Sequence, residues 1–176
     1  MIEIVHETVL SNNKEIVLEQ GRRAPGVRII IETESGGFLI SREHRHALGL
    51  DYRLPGGKVF DSLVEYNRFL SEQKNPEEIV KKAREATGKE AVEEAGIKPL
   101  DFDLFLISRC GGSFEWDLYY FVVKKYRKVG QQLEEHEKIE IIEVSPGELK
   151  EMALSGKMQE DRSVAVILKY LHQRTK

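Results

Sequence analysis

The sequence predicts an α/β fold in which short strands and a few helices pack as a sandwich. Short runs of β-branched residues separated by turn residues indicate the strands, and longer segments with apolar residues at helical spacing indicate the helices. The chain has 176 residues, which suits one domain with a hydrophobic core. We therefore expect a single domain over 1–176.

The first third of the chain is predicted to be β-structure. The β-branched runs are Ile2 to Val5, Glu15 to Leu18 and Val27 to Ile31. The turn residues between them are Ser11–Asn13, Gly21 and Pro25–Gly26. Ser35-Gly36-Gly37 predicts a hairpin that leads into Phe38-Leu39-Ile40. The glycine pair in Leu54 to Lys58 then predicts a loop whose backbone lies close to another group.

A long helix is predicted from Asn75 to Gly96. Asn75 is a favourable N-cap, Pro76 suits the first turn, and Gly96 is typical of a position just beyond a helix end. Gly88 lies inside this helix, where it costs about 1 kcal/mol relative to alanine. Either close packing or a local break would explain a glycine at this position.

The second half of the chain is predicted to alternate strands and helices. The predicted strands are Leu104 to Ile107, Leu118 to Val123 and Ile139 to Val144. The first two are expected to pair around Cys110 to Ser113. Ser145 and Glu148 form a predicted capping box that opens a short helix, and Ser163 to His172 is a predicted amphipathic helix.

Composition and charge exclude several classes of function. The formal net charge is −3, so binding to nucleic acid or to an anionic membrane is not expected. No run of apolar residues is long enough to span a bilayer, and the start of the chain does not resemble a signal peptide. Cys110 is the only cysteine, which excludes an internal disulfide. We expect a cytoplasmic protein.

The segment from Ile79 to Ile97 carries an informative helical pattern. Ile79, Ala83 and Ala86 share one face at about 3.6 residues per turn. The opposite, solvated side then carries Lys81, Lys82, Glu85 and Lys89. The same phase continued past Ala86 places Glu90, Glu93 and Glu94 where apolar groups should be buried.

These three carboxylates need a positive partner, because like charges at this spacing repel and unpaired burial is costly. Mg²⁺ would supply one, since it prefers oxygen ligands and retains waters and substrate phosphates. The alternative is a solvated acidic face after the helical phase is reset at Gly88. Gly56-Gly57-Lys58 favours the metal site, because its glycines allow a backbone carbonyl to reach the same ion or amides to reach phosphate.

These residues resemble the Nudix hydrolase family. Its characteristic box contains a glycine, a glutamate and then Arg-Glu-aliphatic-x-Glu-Glu-x-Gly-aliphatic. Gly56-Gly57 resembles the loop of this box, and the segment from Glu90 to Ile97 resembles its second half. The resemblance implies a Nudix-type α/β/α sandwich with a mixed central sheet and a Mg²⁺-dependent hydrolase, with Mn²⁺ as an alternative ion.

The resemblance also implies roles for individual residues. Glu90 and Glu94 would be metal ligands, Glu93 would assist catalysis, and the carbonyl of Gly56 would be a further ligand. Many members carry a late glutamate before a strand that serves as base or ligand. Glu137 resembles it best, and Glu134 and Glu135 are the alternatives.

The box departs from the family pattern at two points. Lys89 replaces the family arginine, and lysine lacks the bidentate fork of a guanidinium. Val59 to Lys74 looks like an insertion inside the box, at about 59–74. The loop glutamate therefore has no clear counterpart, and the alternatives are Glu65, Glu77 and Glu78. Ser62 to Phe69 in the insertion is expected either to form a short helix over the site or to pack on a partner chain.

Further segments resemble the ADP-ribose pyrophosphatase subgroup. They are Arg23 to Val27, Phe38 to Ile40, Arg42 to Arg45, Tyr52 to Lys58, Glu137 to Val144, Glu148-Leu149 and Gly156 to Met158. The subgroup implies a nucleoside diphosphate-type substrate and a homodimer. Arginine pairs well with phosphate, and the candidates are Arg23, Arg42, Arg45 and Arg53. Of these, Arg45 and Arg53 are the predicted substrate-binding residues.

Three functions remain open from the sequence. The first is hydrolysis of a nucleoside diphosphate linked to another moiety, such as ADP-ribose or a nucleotide sugar, at the pyrophosphate. The second is a catalytically silent Nudix domain that binds a nucleotide. The third is a Nudix hydrolase that acts on nucleoside triphosphates or capped RNA, although the acidic net charge argues against long RNA.

Overall fold

The structure is a computed structural model that describes residues 1–46, 48–73, 75–135 and 137–174. The strands are β1 (Glu3–Ser11), β2 (Lys14–Arg22), β3 (Gly26–Glu32), β4 (Phe38–Arg45), β5 (Gly49–Arg53), β6 (Ile97–Ser108), β7 (Phe114–Glu115), β8 (Leu118–Lys128) and β9 (Ile139–Val144). The helices are α1 (Leu63–Glu72), α2 (Pro76–Glu93), α3 (Pro146–Leu154) and α4 (Asp161–Arg174). Lys74, the last residue of the predicted insertion, lies outside the described residues.

The larger sheet is mixed and has the strand order β5-β4-β3-β8-β6, with β9 paired to β4. Strands β3 and β8 are parallel neighbours at its centre, and the other pairs in this sheet are antiparallel. A smaller sheet consists of β1, β2 and β7.

The two faces of the central strands are buried by different helices. Ile30, Tyr120 and Val122 belong to one core cluster, together with apolar residues of α3 and α4. Ile29 and Val123, which point to the opposite face, cluster with Ala91 and Ala95 at the end of α2 and just beyond it. This arrangement of helices on both faces of a mixed sheet confirms the predicted α/β/α sandwich.

Local sequence signals account for the ends of the helices. Asn75 accepts a hydrogen bond from the amide of Glu77 at 3.0 Å, as an N-cap does. Ser145 and Glu148 form the predicted capping box at α3. Gly96 has a φ of +65° just after α2, where a Cβ would lie 2.8 Å from the backbone nitrogen of Gln131. Gly88 neither breaks α2 nor packs closely, because a Cβ there would meet nothing within 4 Å.

The N-terminal region differs in part from the prediction. Asn12 and Asn13 form the expected turn between β1 and β2, and both have positive φ. Gly21 was predicted as a turn residue, and this is wrong, because it pairs with Phe114 inside β2. A Cβ at Gly21 would lie 2.5 Å from the ring of Phe114, so packing explains this glycine.

The predicted insertion forms α1, and this helix has a small core of its own. Phe60, Leu63 and Tyr66 are buried together, with Phe69 and Ile79 packed against them. Helix α1 therefore rests on the first turns of α2. None of the described helices combines the length and the apolar composition needed to cross a membrane.

Candidate active site

The loop Gly56–Lys58 lies against the last turn of α2. The amide of Gly56 donates to Oε2 of Glu94 at 2.7 Å, and the amide of Lys58 donates to the carboxylate of Glu90. The end of helix α2 is thus held to the loop through two of the three glutamates that the helical phase singled out.

A side chain at either glycine of the loop would clash with a neighbouring group. Gly56 has a φ of +151°, and a Cβ there would lie 2.2 Å from the carbonyl oxygen of Val27. A Cβ at Gly57 would lie 2.0 Å from Oε1 of Glu90. The glycine pair therefore lets the loop backbone pass between β3 and the carboxylates.

The electrostatics of Glu90 and Glu94 distinguish them from surface glutamates. Burial, with repulsion from Glu93, raises the pKa of Glu90 to about 7. Burial also raises the pKa of Glu94 to about 7, against the effect of the Gly56 amide. The charge of Glu90 raises the pKa of Glu94, and the charges of Glu93 and Glu137 raise the pKa of Glu90. A cation bound beside these carboxylates would therefore be favoured.

A cavity of about 460 Å³ opens beside these carboxylates. Its walls include Arg45, Arg53, Gly56, Glu94 and Glu137, five of the seven predicted site residues. Glu137 also contributes to the raised pKa of Glu90, which places the two carboxylates in each other's field. Parts of the sequence that are far apart thus meet at one cavity.

Glu93 and the alternative glutamates occupy different positions. Glu93 does not line this cavity, and its carboxylate lies 3.6 Å from the ammonium of Lys89. The backbone amide of Glu134 donates to Oε2 of Glu137 at 3.1 Å and so helps to position this carboxylate. Glu65 accepts a hydrogen bond from the amide of Asp61 at the start of α1.

The two predicted phosphate-binding arginines are paired with acids. Arg53 contacts Oε1 of Glu43 at 2.9 Å and Oδ2 of the fully buried Asp51 at 3.0 Å. Arg45 contacts the same oxygen of Glu43 at 2.9 Å. Both line the cavity, but much of their charge is already compensated.

A third arginine in the cavity is fully committed to an ion pair. Arg28 contacts both carboxylate oxygens of Glu160, at 2.8 and 2.6 Å, and both side chains are largely buried. Burial alone would raise the pKa of Glu160, but the hydrogen bonds and charge of Arg28 lower that pKa to about 2.

Arg23 and Trp116 line the cavity but are not among the predicted site residues. The guanidinium of Arg23 lies 4.5 Å from the ring centroid of Trp116, and that of Arg162 lies 5.2 Å from it. Within the described ranges, Arg23 has no carboxylate partner, unlike Arg28, Arg45 and Arg53. The spacing of arginines in a sequence carries no signal that separates paired from unpaired ones.

The donor set suits an oxygen-preferring ion. Among the described residues, no three His, Cys, Asp or Glu side chains gather closely enough to hold a metal ion by themselves. Mg²⁺ does not require such a cage, because it binds through one or two carboxylates and completes its shell with waters and substrate phosphates. Glu90 and Glu94 are two such carboxylates, and they fit this requirement.

Comparison with known proteins supports the fold. No protein-family model and no curated protein sequence matches the chain. Among solved structures, it is similar to the crystal structure of an ADP compounds hydrolase, with a TM-score of 0.69 and 15% sequence identity. The match covers 99% of this chain and 90% of the other. The predicted fold class is thereby confirmed over nearly the whole chain.

Proposed function

We propose that this chain is a Mg²⁺-dependent hydrolase of the Nudix type. Its substrate would be a nucleoside diphosphate linked to another moiety, of the ADP-ribose or nucleotide sugar class, cleaved at the pyrophosphate. The observation that carries the proposal is the pair Glu90 and Glu94, half-buried and held by amides of the loop Gly56–Lys58, with Glu94 in the wall of the cavity.

The proposed metal site consists of Glu90, Glu94 and the carbonyl of Gly56. The ion would neutralise phosphate oxygens and lower the pKa of a water. Glu94 keeps Oε1 for this purpose, because the structure shows only Oε2 bonded to the Gly56 amide. Mn²⁺ would fit the same oxygen ligands.

The catalytic proton transfer is assigned to Glu137. It lines the cavity with Glu94, and a general base must lie within hydrogen-bond reach of the attacking water. The amide of Glu134 holds one carboxylate oxygen of Glu137 and leaves the other to accept a proton. Glu93 would assist by adding negative charge beside Glu90, which favours binding of the cation.

The phosphates would be bound mainly by Arg23, with Lys58 beside it. Both line the cavity, and an unpaired guanidinium is a stronger phosphate ligand than one that already contacts carboxylates. Arg45 and Arg53 would contribute at the edge of the phosphate site, as the sequence predicted.

The structural neighbour supports the class of substrate, since that protein hydrolyses ADP compounds by its description. The single domain over 1–176, the homodimer and the cytoplasmic location remain predictions.

The test is a hydrolysis assay with Mg²⁺ on ADP-ribose, nucleotide sugars, dinucleoside polyphosphates, nucleoside triphosphates and a capped RNA. Glu94→Gln keeps the shape and the acceptor for Gly56 but removes the charge, so we expect turnover to fall about 100-fold or more. EDTA should abolish it. The matched control is Glu85→Gln, on the solvated side of the same helix, which should retain wild-type turnover.

Two outcomes would overturn the proposal. Equal turnover in Glu94→Gln and wild type would show that this carboxylate is not part of the catalytic site. Nucleotide binding without cleavage of any compound would show that the chain is a silent binding domain.

A further inference from the structure

A second, smaller cavity of about 270 Å³ lies next to the catalytic one. The two cavities share Arg23, Ala24 and Lys58 in their walls. The remaining walls of the smaller cavity are Met1, Phe60, Asp61, Ser62 and Leu63, so the beginning of the predicted insertion builds most of them. We call this cavity the insertion pocket.

The insertion pocket has firmly held walls. The ring of Phe60 lies 5.2 Å from that of Tyr66 and 5.1 Å from that of Phe69, and Phe60 is 3% exposed. The hydroxyl of Tyr66 donates to Glu115 of β7 at 3.1 Å, and the amide of Asn67 donates to Glu3 of β1 at 3.0 Å. Helix α1 is thus fixed to the smaller sheet as well as to α2.

Two cationic side chains, those of Arg23 and Lys58, lie where the two cavities meet. Neither Arg23 nor Lys58 forms an ion pair within the part of the chain that the structure describes. A diphosphate placed between them would gain two charged contacts and would extend from one cavity into the other. The catalytic carboxylates lie on the larger side.

The sizes of the two cavities differ in a useful way. The larger, at about 460 Å³, lies within the range of about 300 to 1,000 Å³ that is typical of ligand pockets, and Trp116 in its wall offers an aromatic face for a base. The insertion pocket, at about 270 Å³, falls below that range and suits a smaller group.

Resting on the proposed function, we propose that the insertion pocket binds the group on the far side of the diphosphate and limits it to about the size of one sugar. The buried side chains of Phe60 and Leu63 form an apolar floor, whereas Asp61 and Ser62 are exposed and polar. A sugar ring, with an apolar face and hydroxyl groups, matches both. The insertion is therefore a specificity element that selects the leaving group.

The test compares three substrates with the same ADP part and a growing distal group: the methyl ester of ADP, ADP-ribose and diadenosine diphosphate. Leu63→Ala enlarges the insertion pocket, and we expect it to raise kcat/KM for diadenosine diphosphate relative to ADP-ribose about tenfold. Asp61→Tyr fills the pocket, and it should lower kcat/KM for ADP-ribose relative to the methyl ester about tenfold.

Val64→Ala is the matched control, because Val64 follows Leu63 on α1 but is 64% exposed and does not line the insertion pocket. Both ratios should stay at the wild-type value in this variant. If Leu63→Ala fails to fold by circular dichroism, Leu63→Val replaces it with a smaller change in volume.

The outcomes separate this inference from the proposed function. Turnover with both ratios unchanged in the Leu63 and Asp61 variants would overturn the inference and leave the hydrolase intact. Absence of turnover with every compound would overturn the hydrolase. In that case, the same ratios are measured as dissociation constants by calorimetry, and unchanged ratios there would overturn the insertion pocket as a binding site.

Discussion

Two sets of acidic side chains, each with one member in the wall of the same cavity, have their charges compensated in opposite ways. Glu160 is held by Arg28, and Asp51 and Glu43 are held by Arg53. Glu90 and Glu94 receive backbone amides instead and lie close to other carboxylates. Burial acts on both sets, yet the pKa of Glu160 is lowered to about 2, whereas those of Glu90 and Glu94 are raised to about 7.

This difference distinguishes acids that stabilise the fold from acids that are available for binding and catalysis. An arginine partner keeps a buried carboxylate charged and fixed, which stabilises the wall of the cavity. Carboxylates that lack one are costly to keep charged, and such groups are typical of functional sites. The proposed metal ion would take the place that arginine takes on the other wall.

We call the acids held by arginine, Glu160, Asp51 and Glu43, the arginine-paired wall. The largest expected effect comes from removing an arginine from this wall. Arg28→Met leaves the buried carboxylate of Glu160 without its partner, and we expect a loss of about 3 to 5 kcal/mol in the free energy of unfolding. Urea denaturation of the purified variant measures it. The double variant with Glu160→Gln should recover part of the loss, and a single variant within about 1 kcal/mol of wild type would contradict this account.

We call Glu90 and Glu94, which are held by backbone amides, the unpaired wall. Gly57→Ala should act on this wall. The added methyl would lie 2.0 Å from Oε1 of Glu90, so the carboxylate must turn away. Because this atom ends a flexible side chain, we expect little change in stability but a loss of about 100-fold in kcat, as a displacement of about 1 Å in an active site can produce. Steady-state kinetics and urea denaturation together give both values.

The matched control is Gly112→Ala, since a methyl there would meet nothing within 4 Å. Its kcat should equal that of wild type. Equal kcat in the Gly57 variant would show that the present position of Glu90 is not needed for turnover.

The pH dependence of stability should differ in sign between the two walls. Folded Glu90 and Glu94 have pKa values of about 7, above the ordinary 4.5, so their contribution is fully present below pH 4.5 and is lost as pH rises through 7. Folded Glu160 has a pKa of about 2, so its contribution is present above pH 4.5 and is lost as pH falls toward 2.

We therefore expect the metal-free protein to lose roughly 2 kcal/mol of stability between about pH 5 and pH 8, after allowance for solvent screening at the cavity. The double variant Glu90→Gln with Glu94→Gln should lose much less over this interval. Urea denaturation in EDTA measures both curves, and parallel curves would contradict the raised pKa values. Mg²⁺ should flatten the wild-type curve, because the ion replaces the protons.

Much of the unpaired wall could be predicted from the sequence because its signals are local. Helical periodicity alone placed Glu90 and Glu94 on the face that meets the rest of the protein, and the glycine pair indicated the close approach of the loop. The bounds of β9 and the capping box of α3 also follow from adjacent residues. Each of these signals comes from residues that are close together in the sequence.

The arginine-paired wall could not be predicted, because its contacts form only once strands and helices from different parts of the chain come together. Arg28 and Glu160 are 132 positions apart, and nothing beside either residue indicates the other. The partners of Arg53, Glu43 and Asp51, are closer in sequence, but which arginine meets which acid depends on the pairing of β4 with β5. The turn predicted at Gly21 was wrong for a similar reason, since Phe114 comes from a distant strand. The insertion pocket depends on the same kind of long-range contact.

The smallest expected effect comes from replacing Gly88, and it compares the helix propensity of α2 with the geometry of the candidate site. Gly88 lies two residues before Glu90 in α2, and a Cβ there would meet nothing within 4 Å. Gly88→Ala should therefore stabilise the protein by about 1 kcal/mol, as alanine does in a helix interior. The midpoint of urea denaturation measures the gain, and kcat should stay at the wild-type value. A gain in stability with a loss of kcat would mean that the last turns of α2 must flex for Glu90 and Glu94 to act. The unpaired wall would then be mobile, whereas the arginine-paired wall is fixed.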